Sequence, residues 1–185
     1  MESTSSEGFD SGMRDDQNMV RQKDMIYTTT IIGNYGNFNL GDETLLKQIV
    51  ENIRNEEDGL HNMKFYVPTR NPEFVTMYHD DLRDSIFPVD MRDVFGVARI
   101  LLRSNKILIG GGGIWSGFTG PIAHAIPILA IVSKLLGKKV EFISVGIYDT
   151  ASFLDIFLVN LAFLIGDQSS VRDEESFKEI APIQP

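Results

Sequence analysis

The chain has 185 residues, of which 43% are hydrophobic and 23% charged, and its 17 Lys and Arg against 26 Asp and Glu give a formal net charge of −9. This length predicts about one domain with a buried core, and the apolar fraction excludes a wholly disordered chain. The acidic balance argues against a general nucleic-acid binder, which needs a basic surface to neutralise phosphates. Because the chain contains no Cys, disulfides, zinc–thiolate sites and a cysteine nucleophile are excluded as well.

The amino terminus has the composition of a tail. Residues 1–24 are rich in Ser, Asp, Glu, Gln and Asn and lack the apolar run of a secretory signal, which predicts a solvated, disordered, acidic and polar extension. The most apolar stretch, 153–165, contains Asp155 and Asn160 and is shorter than the roughly 18 to 20 residues of a membrane span. We therefore expect no transmembrane segment and a cytoplasmic protein.

From residue 25 onward, strand and helix patterns alternate. The predicted strands are apolar on both faces and are separated by helices, which is typical of a doubly wound α/β fold with a mostly parallel sheet and helices on both faces. In such sheets, ligands bind beyond the carboxyl ends of the strands. The predicted elements are strands over 25–33, 63–67, 85–89, 106–109, 140–147 and 169–172, and helices over 43–54, after Asn71 as N-cap, after Asp90 as cap, and over 121–136, 150–165 and 173–180.

The segment that follows the first strand, residues 33–43, is a glycine-rich turn that delivers Asp42 and Glu43 to a helix. Its glycines are too widely spaced for a dinucleotide fingerprint, and it lacks the Lys-Ser/Thr ending of a P-loop. One interpretation is structural, with Asp42 as the N-cap and Glu43 as an acid favoured by the helix dipole. The other is that backbone N–H groups and Asn39 or Asp42 bind a polar ligand, with Asp42 holding or deprotonating a sugar hydroxyl.

The fourth strand leads into four consecutive glycines, residues 110–113, within a predicted loop over 110–120. Glycines allow backbone to approach either another backbone or a ligand, so close packing and ligand binding both fit. Trp115 and Phe118 follow in the same segment. Their rings can stack on a sugar or cover the core.

Three histidines and one arginine are the remaining candidates for site residues. His61, His79 and His124 have no metal-ligand spacing, so no metal site is predicted. His124 lies one helical turn past the predicted loop over 110–120, where it can face the crevice. Arg172 ends the last predicted strand and either meets an anionic group or forms a surface ion pair with a neighbouring acid.

Three segments together resemble the polysaccharide pyruvyl transferases. They are GNYGNFNLGDETLL after the first strand, ILIGGGGIW at the fourth, and SSVRDEESF near the end. Family members are similar in having an N-x-GDE turn, a GGG strand end and an S-x-RDEES segment in this order, and the resemblance covers residues 25 to about 180. The positions that carry over are Asn39, Gly41, Asp42 and Glu43, then Gly111, Gly112 and Gly113, then Arg172, Asp173 and Glu174.

The resemblance implies a fold of two facing α/β lobes, as in the two-lobed (GT-B-like) glycosyltransferases. It also implies transfer of a pyruvyl group from phosphoenolpyruvate to a pair of glycan hydroxyls in surface or extracellular polysaccharide biosynthesis, with phosphoenolpyruvate as co-substrate and no other cofactor. Two lobes need about 300 residues, and the family's proton donor and phosphoenolpyruvate-binding residues belong to the second lobe. Residues 25–185 are therefore expected to be the acceptor-side lobe, without the second lobe and without a general acid that we can name. Its acceptor would be a glycan or a lipid-linked sugar.

Two other functions fit the same sequence. One is a lobe of a nucleotide-sugar glycosyltransferase, since fold alone does not separate two activities. The other is a non-catalytic glycan-binding or assembly module. The helix predicted over 150–165 bears on both of these functions, because its large apolar residues point in nearly every direction around the helix axis. We expect it to meet a second lobe, a partner subunit such as a second copy, or a membrane surface at the inner face.

Overall fold

The computed structural model describes residues 26–56, 62–116, 121–148 and 153–180. The predicted amino-terminal tail, His61 and Phe118 lie outside these residues. The strands are β1 (Tyr27–Ile32), β2 (Met63–Thr69), β3 (Ile86–Asp90), β4 (Lys106–Ser116), β5 (Lys139–Tyr148) and β6 (Gln168–Val171). The helices are α1 (Leu40–Glu56), α2 (Pro72–Tyr78), α3 (Val94–Arg103), α4 (Pro121–Leu135), α5 (Phe153–Ile165) and α6 (Glu174–Ile180), with a short 3₁₀ turn over Asp80–Leu82.

The six strands form one parallel sheet in the order β3-β2-β1-β4-β5-β6. This is the order of the doubly wound folds, in which the chain starts in the middle of the sheet and builds outward in both directions. The predicted fold class, a doubly wound parallel sheet with helices on both faces, is confirmed.

Each face of the sheet has its own hydrophobic core. On one face, Ile31 and Leu108 pack with residues of α1 and α2, such as Leu46 and Val75. On the other face, the alternate strand residues pack with α3, α4, α5 and α6. That second core comprises Ile32, Ile107, Ile109, Val140, Phe142, Val145, Ile147, Ile126, Ala130, Val159, Ala162, Phe163 and Ile180, with Leu101 against it.

Several element boundaries differ from the sequence prediction. α1 begins at Leu40 rather than at residue 43, so Asp42 is not its N-cap. Instead, Asn39 caps the helix, because its side-chain oxygen accepts a hydrogen bond from Gly41 N–H at 3.1 Å. The cap of α3 is Asp93, which accepts from Gly96 N–H, and not Asp90. The prediction of Asn71 as the cap of α2 is confirmed by its hydrogen bond from Phe74 N–H.

The largest difference concerns β4. The glycine run is not a loop, because β4 continues through it to Ser116 and pairs with β5 as far as Ser116↔Tyr148. None of the helices among the described residues is long and apolar enough to cross a membrane.

Candidate functional site

The strand order reverses between β1 and β4, and a crevice forms at the carboxyl ends of these two strands. From β1 the chain passes to α1 on one face, and from β4 it passes to α4 on the other. The β1–β4 ladder ends at Ile32↔Ile109, whereas β4 remains paired with β5 to its end. β4 therefore extends past β1, and its edge on the β1 side borders the segment that follows β1. Such a switch point is where doubly wound folds bind ligands.

Tyr35 fixes this segment against β4. Its ring is buried, and its hydroxyl donates a 2.9 Å hydrogen bond to the carbonyl of Gly110. A Cβ on Gly33 would lie 2.2 Å from the Gly110 carbonyl oxygen, and one on Gly111 would lie 2.4 Å from the Tyr35 hydroxyl. Burial raises the pKa of Tyr35, and the charges of Asp42 and Glu43 raise it further, so the hydroxyl remains a proton donor. The glycines at these positions make room for Tyr35, which is the close-packing interpretation of Gly111.

Glu43 lies inside the protein and not on the crevice surface. Its side chain is fully buried, with one oxygen 2.6 Å from Gly36 N–H and the other 3.0 Å from His79 Nε2. His79 is the C-cap residue of α2 and is buried as well. The prediction that Glu43 binds substrate is therefore corrected: its carboxylate holds the segment after β1 and the end of α2 together, and no oxygen is left for a ligand.

Asp42, the next residue on α1 toward its amino terminus, has a different environment. The amides of Asn34 and Asn39 both donate to its Oδ2 at 2.9 Å, whereas Oδ1 receives no hydrogen bond from the described residues. The residue is 7% exposed. Burial raises the pKa of Asp42, the two amides oppose that rise, Glu43 adds to it, and the positive charge of Arg172 opposes it. The result is a carboxylate held by one oxygen and more basic than an ordinary Asp, the properties of a hydroxyl acceptor.

The predicted site residues of the GDE motif thus divide by role. Asn39 caps α1 and binds Asp42, and Gly41 supplies the capped N–H. A Cβ on Gly41 would meet only the Asn39 side chain, at 3.4 Å, so the crowding that requires glycine at Gly33 does not apply there. Of this group, Asp42 is the residue whose side chain keeps an oxygen, Oδ1, that accepts no hydrogen bond from the described residues.

The RDEES segment is mainly structural. Asp173 caps α6, because its Oδ1 accepts from Ser176 N–H at 2.9 Å and from Ser176 Oγ at 2.6 Å. Ser176 Oγ in turn receives Ile147 N–H at 2.9 Å, which ties α6 to β5. Arg172 Nε lies 3.4 Å from Asp173 Oδ2, so the expected ion pair exists. Arg172 still influences the crevice, since its charge lowers the pKa of Asp42.

The remaining predicted residues of β4 are placed by their backbones. Gly112 pairs with Val145 and Gly113 with Gly146, and the register then shifts before Trp115 pairs with Ile147. These residues lie in the part of β4 that extends past β1. Their backbone position fits an approach by ligand, and the binding roles of Gly112, Gly113 and Trp115 remain predictions.

His124 pairs with an acid on a neighbouring helix. It lies in the first turn of α4, and its Nδ1 is 2.5 Å from Oδ1 of Asp155 in the first turn of α5. The Asp155 side chain is 15% exposed and that of His124 is 43% exposed. The two atoms are close, but neither forms a hydrogen bond with good geometry among the described residues, so the contact is one of charge when the imidazole is protonated. Both helices follow strands at the carboxyl edge of the sheet, so the pair lies at the same edge as Asp42.

Asn34, Tyr35 and His79 belong to this arrangement but were not predicted from the sequence. Asn34 and Tyr35 stand inside the segment after β1, where a short polar side chain and an aromatic ring before Gly36 were available signals. His79 acts on Glu43, 36 residues away, and no local pattern reveals such a contact. In the described parts of the chain, no three His, Cys, Asp or Glu residues group as metal ligands would.

Neither a protein-family model nor a curated protein matches the chain. Among solved structures, it is similar to S. aureus MnaA, described as a co-structure with UDP, at 15% sequence identity and a TM-score of 0.38. The match covers 89% of this chain and 42% of that one, so the chain spans less than half of that protein's length.

Proposed function

We propose that the chain is the acceptor-side lobe of a polysaccharide pyruvyl transferase-like protein. The three sequence motifs that resemble this family lie in the segment after β1, in β4 and at the end of β6, all at or leading to the carboxyl edge of the sheet. A GT-B-like partner lobe facing that edge would enclose the site between two lobes, on the cytoplasmic side of the membrane. No metal or organic cofactor is part of the proposal.

The observation that carries the proposal is the environment of Asp42. Its Oδ2 is fixed by two amides, its Oδ1 receives no hydrogen bond from the described residues, and burial raises its pKa. A carboxylate of this kind accepts a hydrogen bond from an alcohol and takes its proton more readily than an ordinary Asp. We assign Asp42 to one of the two acceptor hydroxyls.

The reaction that this assignment serves balances as follows. Two hydroxyl oxygens of the glycan form bonds to C2 of phosphoenolpyruvate, the C2–O bond to phosphate breaks, and C3 gains a proton to become a methyl group. Of the two hydroxyl protons, one is balanced by the proton that C3 gains and the other by the proton that the leaving phosphate takes up. The products are therefore the cyclic ketal and hydrogen phosphate. Asp42 would accept a hydroxyl proton, and the resemblance leaves the donation of a proton to C3 and the binding of phosphoenolpyruvate to the second lobe.

The test is sugar binding to the purified chain. Methyl glycosides of galactose, glucose, mannose and N-acetylglucosamine are titrated by calorimetry, with phosphoenolpyruvate and UDP as comparison ligands. Asp42→Asn keeps the size of the side chain but removes the charge, and we expect the affinity for the sugar that binds best to fall about 10- to 100-fold, the range of a hydrogen bond to a charged group. Asp84→Asn is the matched control, because Asp84 is exposed and precedes β3 at the opposite edge of the sheet.

Each class of ligand tests one of the alternative functions. Sugar binding that requires Asp42, without UDP binding, supports the acceptor lobe. Tight UDP binding would instead favour a nucleotide-sugar glycosyltransferase lobe. Equal affinity in the Asp42→Asn and Asp84→Asn variants would refute the role of Asp42.

A further inference from the structure

The helix layer over α3, α4 and α5 has an unusual solvent face. Phe95 is 89% exposed, Leu135 is 82% exposed and Phe153 is 86% exposed. The other large exposed apolar residues of this face, which we call the apolar helix face, are Val94 and Leu102 of α3, Ile128 and Val132 of α4, and Leu154, Phe157 and Leu164 of α5.

Helix α1 of the opposite layer shows what an ordinary solvent face looks like in this protein, although α2 of that layer exposes Met77 and Tyr78. Beyond its first turn, α1 exposes only polar residues, namely Thr44, Gln48, Glu51, Asn52, Arg54 and Asn55. On α5, by contrast, the exposed residues are all apolar. An exposed apolar surface of this extent marks a contact with a partner or a membrane.

The charge of the same region identifies the partner. Between residues 94 and 140 the sequence has six Lys and Arg and no Asp or Glu, although the whole chain has a formal net charge of −9. Lys106 is buried against Glu141 and Lys134 pairs with Asp167, so the cations that remain for a partner are Arg99, Arg103, Lys138 and Lys139. Arg99 and Arg103 are exposed on α3, and within the described part of the chain neither pairs with an acid. Lys138 reaches across to the end of α3, where its Nζ donates to the Leu102 carbonyl at 2.7 Å, so the cations adjoin the exposed leucines.

We infer that this face binds an anionic lipid surface. Apolar side chains that enter the acyl boundary, combined with neighbouring Lys and Arg that meet lipid phosphates, are the two requirements of interfacial binding. A second copy fits less well, because a two-fold contact through the face would oppose the same cations of both subunits. A second lobe that shares the crevice would meet the carboxyl edge of the sheet, where Phe95 and Phe153 lie. It would leave uncovered Leu102, Leu135 and Leu164, which lie at the opposite ends of the three helices. The inference does not depend on the proposed function.

The experiment is co-sedimentation of the full chain with vesicles of phosphatidylcholine mixed with phosphatidylglycerol, and with phosphatidylcholine alone. We expect preferential binding to the anionic vesicles, weakened by salt. Arg99→Gln with Arg103→Gln should reduce the partition coefficient about fivefold for each charge. Phe95→Ser should reduce it about tenfold, through the loss of an apolar anchor.

The matched controls lie on the other layer. Arg54→Gln with Arg83→Gln removes two exposed cations, and Met77→Ser removes a side chain that is 71% exposed on α2. Both should bind like the unaltered chain, and thermal melting confirms that every variant is folded. The inference is overturned if anionic and neutral vesicles bind equally, if the controls lose as much binding as the test variants, or if the chain ignores vesicles and forms a dimer that Phe95→Ser dissociates.

Discussion

Asp42 and Glu43 are adjacent acidic residues whose side chains have different environments. Glu43 is fully buried and uses both carboxylate oxygens to hold the segment after β1 and the end of α2. Asp42 uses one oxygen in this way and is only partly shielded from the crevice. The sequence indicated that this pair matters, but it did not distinguish the two roles, because the contact of Glu43 with His79 is made across the fold.

The raised pKa of Asp42 leads to a prediction about stability. The folded protein binds a proton at Asp42 more tightly than the unfolded chain does, so ionisation of Asp42 destabilises the fold as the pH rises from the ordinary Asp value through the raised one. Below that window Asp42 is protonated in both the folded and the unfolded chain, and above it the folded chain bears the full cost of burying the ionised carboxylate. The Asp42→Asn variant has no carboxylate at this position and therefore lacks that cost.

We therefore expect Asp42→Asn to melt at the same or a higher temperature than the unaltered chain at neutral pH, with a difference that shrinks toward acid pH. Thermal unfolding followed by circular dichroism across the pH range measures this. A loss of about 1 kcal/mol at neutral pH, as for a removed helix cap, would contradict the account. If the Asp42→Asn variant keeps its stability while its affinity for the sugar falls, it behaves as expected for the loss of a functional residue.

At the scale of elements, the segment between β1 and α1 is held in one conformation by neighbouring backbones. Gly36 has φ +80°, and a Cβ there would lie 2.1 Å from Thr69 Oγ1. That hydroxyl donates to the Tyr35 carbonyl and accepts from Asn71 N–H, so it cannot move away without breaking these hydrogen bonds. Gly137, in the turn before β5, has a similar φ of +75° but open space around the Cβ position.

The two glycines form a matched pair for testing this conformation. Gly137→Ala should lose about 1 to 2 kcal/mol of unfolding free energy through backbone strain alone. Gly36→Ala should lose about 2 to 5 kcal/mol, because overpacking against Thr69 adds to the same strain. Urea denaturation compares the two, and equal losses would show that the segment is not fixed against β2 as described.

The element order was predictable because most strands carry an apolar run and most helices carry a recognisable apolar stripe, although β6 is mostly polar and α5 is apolar on nearly every side. Boundaries were less predictable where glycine was involved. Four glycines favour a loop on local grounds, yet β4 continues through them because β5 provides a pairing partner. α1 was predicted to begin at residue 43 with Asp42 as its N-cap, whereas the Asn39 cap makes it begin at Leu40.

At the scale of the whole molecule, the crevice and the apolar helix face differ in extent. The crevice lies at the carboxyl edge of the sheet, between β1 and β4, whereas the helix face begins at that edge, at Phe95 and Phe153, and continues along one side of the sheet. The sequence located the first from the doubly wound pattern and anticipated the second from the uniform apolarity of α5. It could not show that α3 and α4 extend that face, since which helix residues are exposed follows from packing.

The most direct measurement is amide chemical-shift mapping of the ¹⁵N-labelled chain during titration with the methyl glycoside that binds best. The account predicts that shifts concentrate in residues 33–43, in 110–113 and at Arg172, and that they disappear in Asp42→Asn but persist in Asp84→Asn. Shifts confined to other surfaces, or a pattern unchanged by Asp42→Asn, would contradict an acceptor site at the crevice between β1 and β4.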